Sequence, residues 1–337
     1  MAHSVVALTL SVVLSIFSIA NAAGKGVYGI DSQLDLVQYN VNSGQTTHIA
    51  DGPGSGYITG ESLACFDNAH KILYVLVTGG QITDLKTGLF GFNLSDPSNS
   101  VGFVELPQIY ASNYGGAGEQ CVGDPNTGDV FVFGHSSQNL TQQLLLRVSI
   151  DSSNKVNIAT VSEYADIDDL LLLPGEMSIF DSKRNKMWIA GEYNSSTYYY
   201  YIDAETGSID NDISYDKFPI FSSGYDATLD QLVGVSFDGF EPDNNAQYVM
   251  KYADPVTLSV TKTLTAFKEW CFWVAEGSID EENQIWYQLL TNATSTDCRD
   301  SGNNLVYYLV GVDIKSGEIQ TAAPISNTWD LFYWNGQ

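Results

Sequence analysis

"GEMSIFDSKRNKMWIAGEY", residues 175–193, decides the fold because it is one copy of a repeated phrase. The same order of Gly-Glu, a short apolar stretch, an aspartate turn and a β-rich run recurs in "GESLACFDNAHKILYVL" from Gly60 and "GEQCVGDPNTGDVFVFG" from Gly118. Aligned on the aspartate, five copies emerge: "FDNAHKILYVL" from Phe66, "GDPNTGDVFVF" from Gly123, "FDSKRNKMWIA" from Phe180, "YDATLDQLVGV" from Tyr225 and "IDEENQIWYQL" from Ile279. Their aspartates, Asp67, Asp124, Asp181, Asp226 and Asp280, stand 57, 57, 45 and 54 residues apart. That is the span of a four-stranded propeller blade.

Each copy continues into a third strand that ends in a turn: "LFGFNLSDPSN", "LLLRVSIDSSN", "YYYYIDAETGS", "YVMKYADPVTL" and "LVGVDIKSGEI". Asp, Asn, Pro, Gly and Ser at these places supply hairpin chemistry, and a fourth strand follows, as in "VGFVEL" and "VNIATV". At the N-terminal side, "GVYGID", "LDLVQYNVNSG" and "TTHIAD" read as strands two to four of a blade that lacks its first strand. "TWDLFYW" near the C-terminus is a strand without a blade. Joined, they make a sixth blade and close the ring, which hides two sheet edges. The expectation is an all-β, six-bladed β-propeller over residues 23–337, with seven blades as the alternative because the connections at 108–117 and 164–174 are long. Strand alternation sends Tyr198 to Tyr201 to opposite faces of one sheet, for packing between blades.

The chain of 337 residues begins with an uncharged apolar stretch ending in Ala20-Asn21-Ala22, which predicts a signal peptide over 1–22 and a secreted protein. Nothing later is apolar for long enough to span a bilayer, so no membrane insertion is expected after cleavage. Cys65, Cys121, Cys271 and Cys298 make an even set that predicts two disulfides. The strand map suggests Cys65 with Cys121, stapling neighbouring blades, and Cys271 with Cys298 within one blade. Sequons at Asn93, Asn139, Asn194 and Asn292 predict a glycosylated surface. With 14 Lys and Arg against 40 Asp and Glu, the net charge is −26. Nucleic acid is excluded by that charge, whereas cations, basic proteins, glycans and small neutral ligands remain compatible partners.

The Gly-Glu pairs sit where each inner strand begins, at the mouth of the axis. Glu61, Glu119 and Glu176 hold equivalent positions, and Glu276 in "VAEGSID" matches within a residue. Carboxylates converging there need protons, a basic side chain or a cation. Calcium fits an all-oxygen set, and Asp166, Asp168, Asp169, Asp238, Glu241 and Asp243 lie on loops of the same face. The histidines, His3, His48, His70 and His135, form no cluster suited to zinc or iron. His135, at a second-strand end facing the mouth, is a candidate general base. No GxSxG, HExxH or phosphate-binding glycine loop is present. Trp270, at the entry to an inner strand, is a candidate for stacking on a sugar; core packing explains the other tryptophans near the closure.

Gly-Glu followed by an Asp turn and "LYV" resembles the opening of six-bladed calcium-dependent hydrolases of the gluconolactonase and senescence-marker type. That resemblance implies a first-strand glutamate as calcium ligand, which falls on Glu61. Glu119 and Glu176 depart from it, standing where asparagines are expected, and the family's catalytic aspartate has no clear counterpart in "SSGYDATLD". The first functional expectation is therefore a secreted acidic glycoprotein acting as a binding, recognition or structural module, with calcium at its mouth. The alternative is a calcium-dependent hydrolase of lactones or esters.

Overall fold

The computed structural model describes residues 25–31, 33–58, 64–81, 84–111, 119–151, 155–164, 171–172, 178–193, 196–214, 220, 222–240, 246–267, 270–272, 277–292, 306–325 and 330–334. The proposed signal segment, Glu61, Glu176, Glu276, Asn194 and Cys298 lie outside them, as do Asp166, Asp168, Asp169, Glu241 and Asp243. Cys271, Asn292 and Asp238 are described in their backbone alone.

Six antiparallel sheets form the chain, each with four strand positions. Blade 1 takes Gly26–Ile30, Leu36–Tyr39 and Thr46–Ala50 from the N-terminal side and its inner strand, Asp330–Trp334, from the C-terminal side. Val27 pairs with Tyr333 on one edge and with Tyr39 on the other, so the second strand is covered on both sides. The inner strands of blades 2 to 6 end in Ala64–Asp67, Gln120–Gly123, Ser178–Asp181, Ser222–Asp226 and Ser278–Asp280. The ring thus has six blades rather than seven; in the long connections, Ile109 bridges to Ser136 and Leu171–Leu172 pairs with blade 4's second strand.

The core is six layers, one at each junction between consecutive blades. Along Ile72–Gln81, for example, Ile72, Tyr74 and Leu76 enter the layer shared with blade 3, while Leu73, Val75 and Val77 enter the layer shared with blade 1. This is the two-residue period of a strand buried on both faces. The tyrosine run behaves the same way: Tyr199 and Tyr201 are buried and Tyr198 and Tyr200 half-buried. Trp270 lies edge-on to Tyr308, with centroids 5.3 Å apart, against the layer between blades 5 and 6. Its observed contact is packing.

The five repeat aspartates are not solvated turn residues. Their exposures run from 0% for Asp181 and Asp226 to 3% for Asp124. Each accepts N–H groups of the turn that follows: His70 N on Asp67 at 2.9 Å, Asn126 N on Asp124 at 2.8 Å, Leu229 N on Asp226 at 3.0 Å and Asn283 N on Asp280 at 3.0 Å. Burial of a carboxylate requires such partners, and the same turns reach across to the next blade. Asn68 donates to the Pro125 carbonyl, Asn126 to that of Ser182, Arg184 to Asp230 and Gln284 to Asp226, and Lys25 pairs with Glu282. Side chains therefore clasp the lower ends of blades 2 through 6 and then blade 1.

Candidate functional site at the axial mouth

The upper ends of four blades share an irregularity. In blade 2, Ile58 pairs with Thr78 and Ala64 with Val75, so six positions on the inner side correspond to three on its partner. In blade 4, Leu172 pairs with Gly191 and Ser178 with Ile189, and in blade 6, Phe272 pairs with Leu290 and Ser278 with Tyr287, so the partner strand advances by fewer residues than the inner side. In blade 3 the chain bridges at Ile109 to Ser136 and resumes pairing at Gln120 with Phe133. Each Gly-Glu or Glu-Gly pair falls in one of these four stretches. The repeat therefore places the pairs, in sequence, between the two paired parts of each blade's inner side.

Among the four glutamates, Glu119 is the described one. It is 1% exposed, and its Oε2 has no hydrogen-bond partner among the described residues. Burial pushes its carboxyl up to about 7. Across from it, Gly134 makes the space: a Cβ there would stand 3.0 Å from the Glu119 Cγ and 3.1 Å from the Ile109 side chain. The next residue, Gln120, sends its Nε2 2.7 Å to the Ala190 carbonyl of blade 4. This bond ties the inner strand of blade 3 to the second strand of blade 4.

A disulfide fixes the same region. Cys65 and Cys121 are bonded, with Cα atoms 5.7 Å apart, and join the inner strands of blades 2 and 3. Ser178 Oγ donates to the Cys121 carbonyl at 2.7 Å and extends the link to blade 4. In sequence, Glu119 precedes Cys121 by two residues and Glu61 precedes Cys65 by four.

His135 ends the second strand of blade 3 and pairs with Gln143. Its Nδ1 donates to the Leu140 carbonyl at 3.1 Å, and burial lowers its pKa, so the ring is neutral at pH 7 with Nε2 left as the acceptor. Gly134 shares a face with Glu119, and strand alternation turns His135 to the other face. The general base candidate and the buried carboxylate are thus not brought together.

Two sequons are described. Asn93 caps the hairpin after blade 2's third strand, its Oδ1 accepting from Ser95 N and Asp96 N at 3.0 and 3.1 Å. Asn139 is exposed in the loop above blade 3, where Thr141 Oγ1 donates to its Oδ1 at 2.9 Å. Among the described residues, no helix is long and apolar enough to cross a membrane.

No family model matches the sequence, and no curated protein matches it. Solved structures match by shape. TolB from Acinetobacter baumannii aligns with a TM-score of 0.55 at 10% identity, over 92% of this chain and 66% of that one. A nidogen/laminin complex aligns at 0.49 and 8% identity over 93% of this chain and 100% of that one. The structure of a putative TolB from Agrobacterium tumefaciens aligns at 0.48 and 10% identity over 88% and 96%. At such identities the likeness to the Acinetobacter TolB shows the fold alone, a β-propeller.

Proposed function

We propose that the protein is an extracellular binding module whose axial mouth holds calcium and, through it, an oxygen-rich ligand such as a glycan. The observation that carries this reading is Glu119: a buried carboxyl with one oxygen unpartnered, at a point the repeat duplicates in three other blades. Such an oxygen is costly unless a proton or a cation meets it. Glu61, Glu119, Glu176 and Glu276 would supply carboxylate oxygens, the donor type calcium takes. Secretion is supported by the apolar leader and by the interblade disulfide, a bond that persists in oxidising compartments. Glycosylation at the four sequons belongs to the same reading, as do basic proteins and small neutral ligands as further partners.

The hydrolase reading, for lactones or esters, requires a proton acceptor beside the metal. His135 faces away from Glu119, which favours binding over turnover. Calorimetric titration with calcium and melting in calcium and in chelator test the proposal. Calcium is expected to raise the melting temperature of the wild type and to leave Glu119→Gln unmoved. An unchanged wild-type melting temperature on chelation would overturn the calcium site. Turnover of a lactone or aryl ester that disappears in Glu61→Gln would select the enzyme instead.

A further inference from the structure

Away from the axis, at the upper rim of blade 1, three side chains of mixed chemistry meet. Asp35 immediately precedes the third strand, His48 lies in the fourth, and Asp51 immediately follows it. Antiparallel pairing brings these sequence-distant positions side by side. The register shifts between Leu36, which pairs with Ala50, and Val37, which pairs with His48, so Ile49 is an extra residue on the outer strand. A bulge of this kind re-aims the side chains beside it. His48 Nε2 stands 3.0 Å from Asp51 Oδ1 and 3.7 Å from Asp35 Oδ2, and one ligand atom from each residue lies within 4.8 Å of the others.

We propose that Asp35, His48 and Asp51 form a binding site for a divalent first-row metal of the zinc class, separate from the axial mouth. Two ligands on a tetrahedral zinc at about 2.0–2.2 Å are themselves about 3.4 Å apart. The two separations at His48 Nε2 bracket that value. The donor set also discriminates. One imidazole and two carboxylates suit zinc, cobalt, nickel or copper, whereas calcium seeks six to eight oxygens and no nitrogen. Two carboxylates and a neutral imidazole balance the charge of a divalent ion.

Asp35 is oriented before any metal arrives. Its side chain is 19% exposed, and its Oδ1 accepts the Gly52 N–H at 2.7 Å, leaving Oδ2 toward His48. Gly52 is required there, because a Cβ would lie 2.1 Å from the Leu34 carbonyl. A backbone donor that fixes a ligand carboxylate is the supporting shell that metal sites depend on. Asp51, 92% exposed, and the half-exposed His48 leave the remaining coordination positions open to water or to an incoming donor.

The test is zinc titration by calorimetry on the untagged full chain in excess calcium, with cobalt absorption as a second readout. One zinc per chain is expected. Affinity should fall about tenfold or more in His48→Gln and in Asp51→Asn, since loss of even an outer-shell partner costs that much. Glu119→Gln, at the mouth, should bind zinc as the wild type does. Absence of zinc binding, or equal affinity in the wild type and both rim variants, would overturn the site; the latter would mark adventitious ions on an acidic surface. Displacement of the zinc by calcium would overturn the zinc-class assignment. Asp51 is exposed enough that Asp51→Asn leaves melting in chelator unchanged, which separates lost binding from lost folding.

Discussion

Glu119 shows what one carboxyl gains and loses by burial. Its folded pKa of about 7 stands above the ordinary 4.5, so protonation favours the fold. The sign follows: stability is full below pH 4.5 and is lost as pH rises through 7. Without calcium, Glu119→Gln should therefore gain on the wild type by about 3 kcal/mol between pH 4.5 and pH 8, at 1.36 kcal/mol per pKa unit. Chemical unfolding across that range in chelator checks it, and a flat difference would show that the carboxyl is solvated. Asp230 runs the other way. Hydrogen bonds from Arg184 and Tyr225 and the nearby guanidinium hold it down to about 2, so its contribution is present above pH 4 and is lost as pH falls through 2. Arg184 also bonds both oxygens of Asp181, which is 0% exposed. Arg184→Met should cost about 3 kcal/mol, because it leaves a buried charge without its cation; a variant within 0.5 kcal/mol of wild type, roughly the range of ordinary surface substitutions, would refute that role.

Among the elements, the turns carry the repeat's chemistry. The aspartate that ends each inner strand caps the lower turn, and a second Asx residue caps each third-strand hairpin: Asn40, Asn93, Asp151, Asp203, Asp254 and Asp313. At Asp254 and Asp313 the N–H groups of Thr257 and Ser316 hold the carboxyl below its usual range, which is the electrostatic sign of a cap. The inner strands of blades 2 and 3 touch backbone to backbone. A Cβ at Gly123 would stand 2.0 Å from the Phe66 carbonyl, so Gly123→Ala must push the two blades apart. The Cys65–Cys121 bond crosses this same contact and closes 56 residues. Replacing both cysteines by alanine should lower the unfolding free energy by about 4 kcal/mol in the chain-entropy picture. Guanidinium unfolding measures it, and no loss would mean that the packing of the two strands suffices alone.

For the whole molecule, the decisive contact is the one between the two chain ends. Gly26–Ile30 is an inner strand's neighbour only because Asp330–Trp334 returns to it. Truncation after residue 329 would expose the Gly26–Ile30 strand edge at the seam. The expected outcome is a broadened thermal transition and association by light scattering; a sharp, monomeric transition would show that the ring holds without its closure. The net charge of −26 opposes such association in the intact ring and favours cations at both the mouth and the rim.

Much of this was legible in the residues themselves. The repeated aspartate, the alternation in "KILYVLV" and the two incomplete ends specify blades and closure, because strand periodicity and turn chemistry are local properties, whereas six rather than seven blades was settled by where the long connections pair. The Gly-Glu pairs recur at one position of the sequence repeat. Tertiary structure alone decided how those residues are used. The aspartates that read as turn residues are buried caps and clasps, since burial depends on the neighbouring blade. His135 and Glu119 share a blade but not a face, which follows from register. Asp35, His48 and Asp51 are brought together by an antiparallel pair and one extra residue, a proximity that no spacing along the chain records.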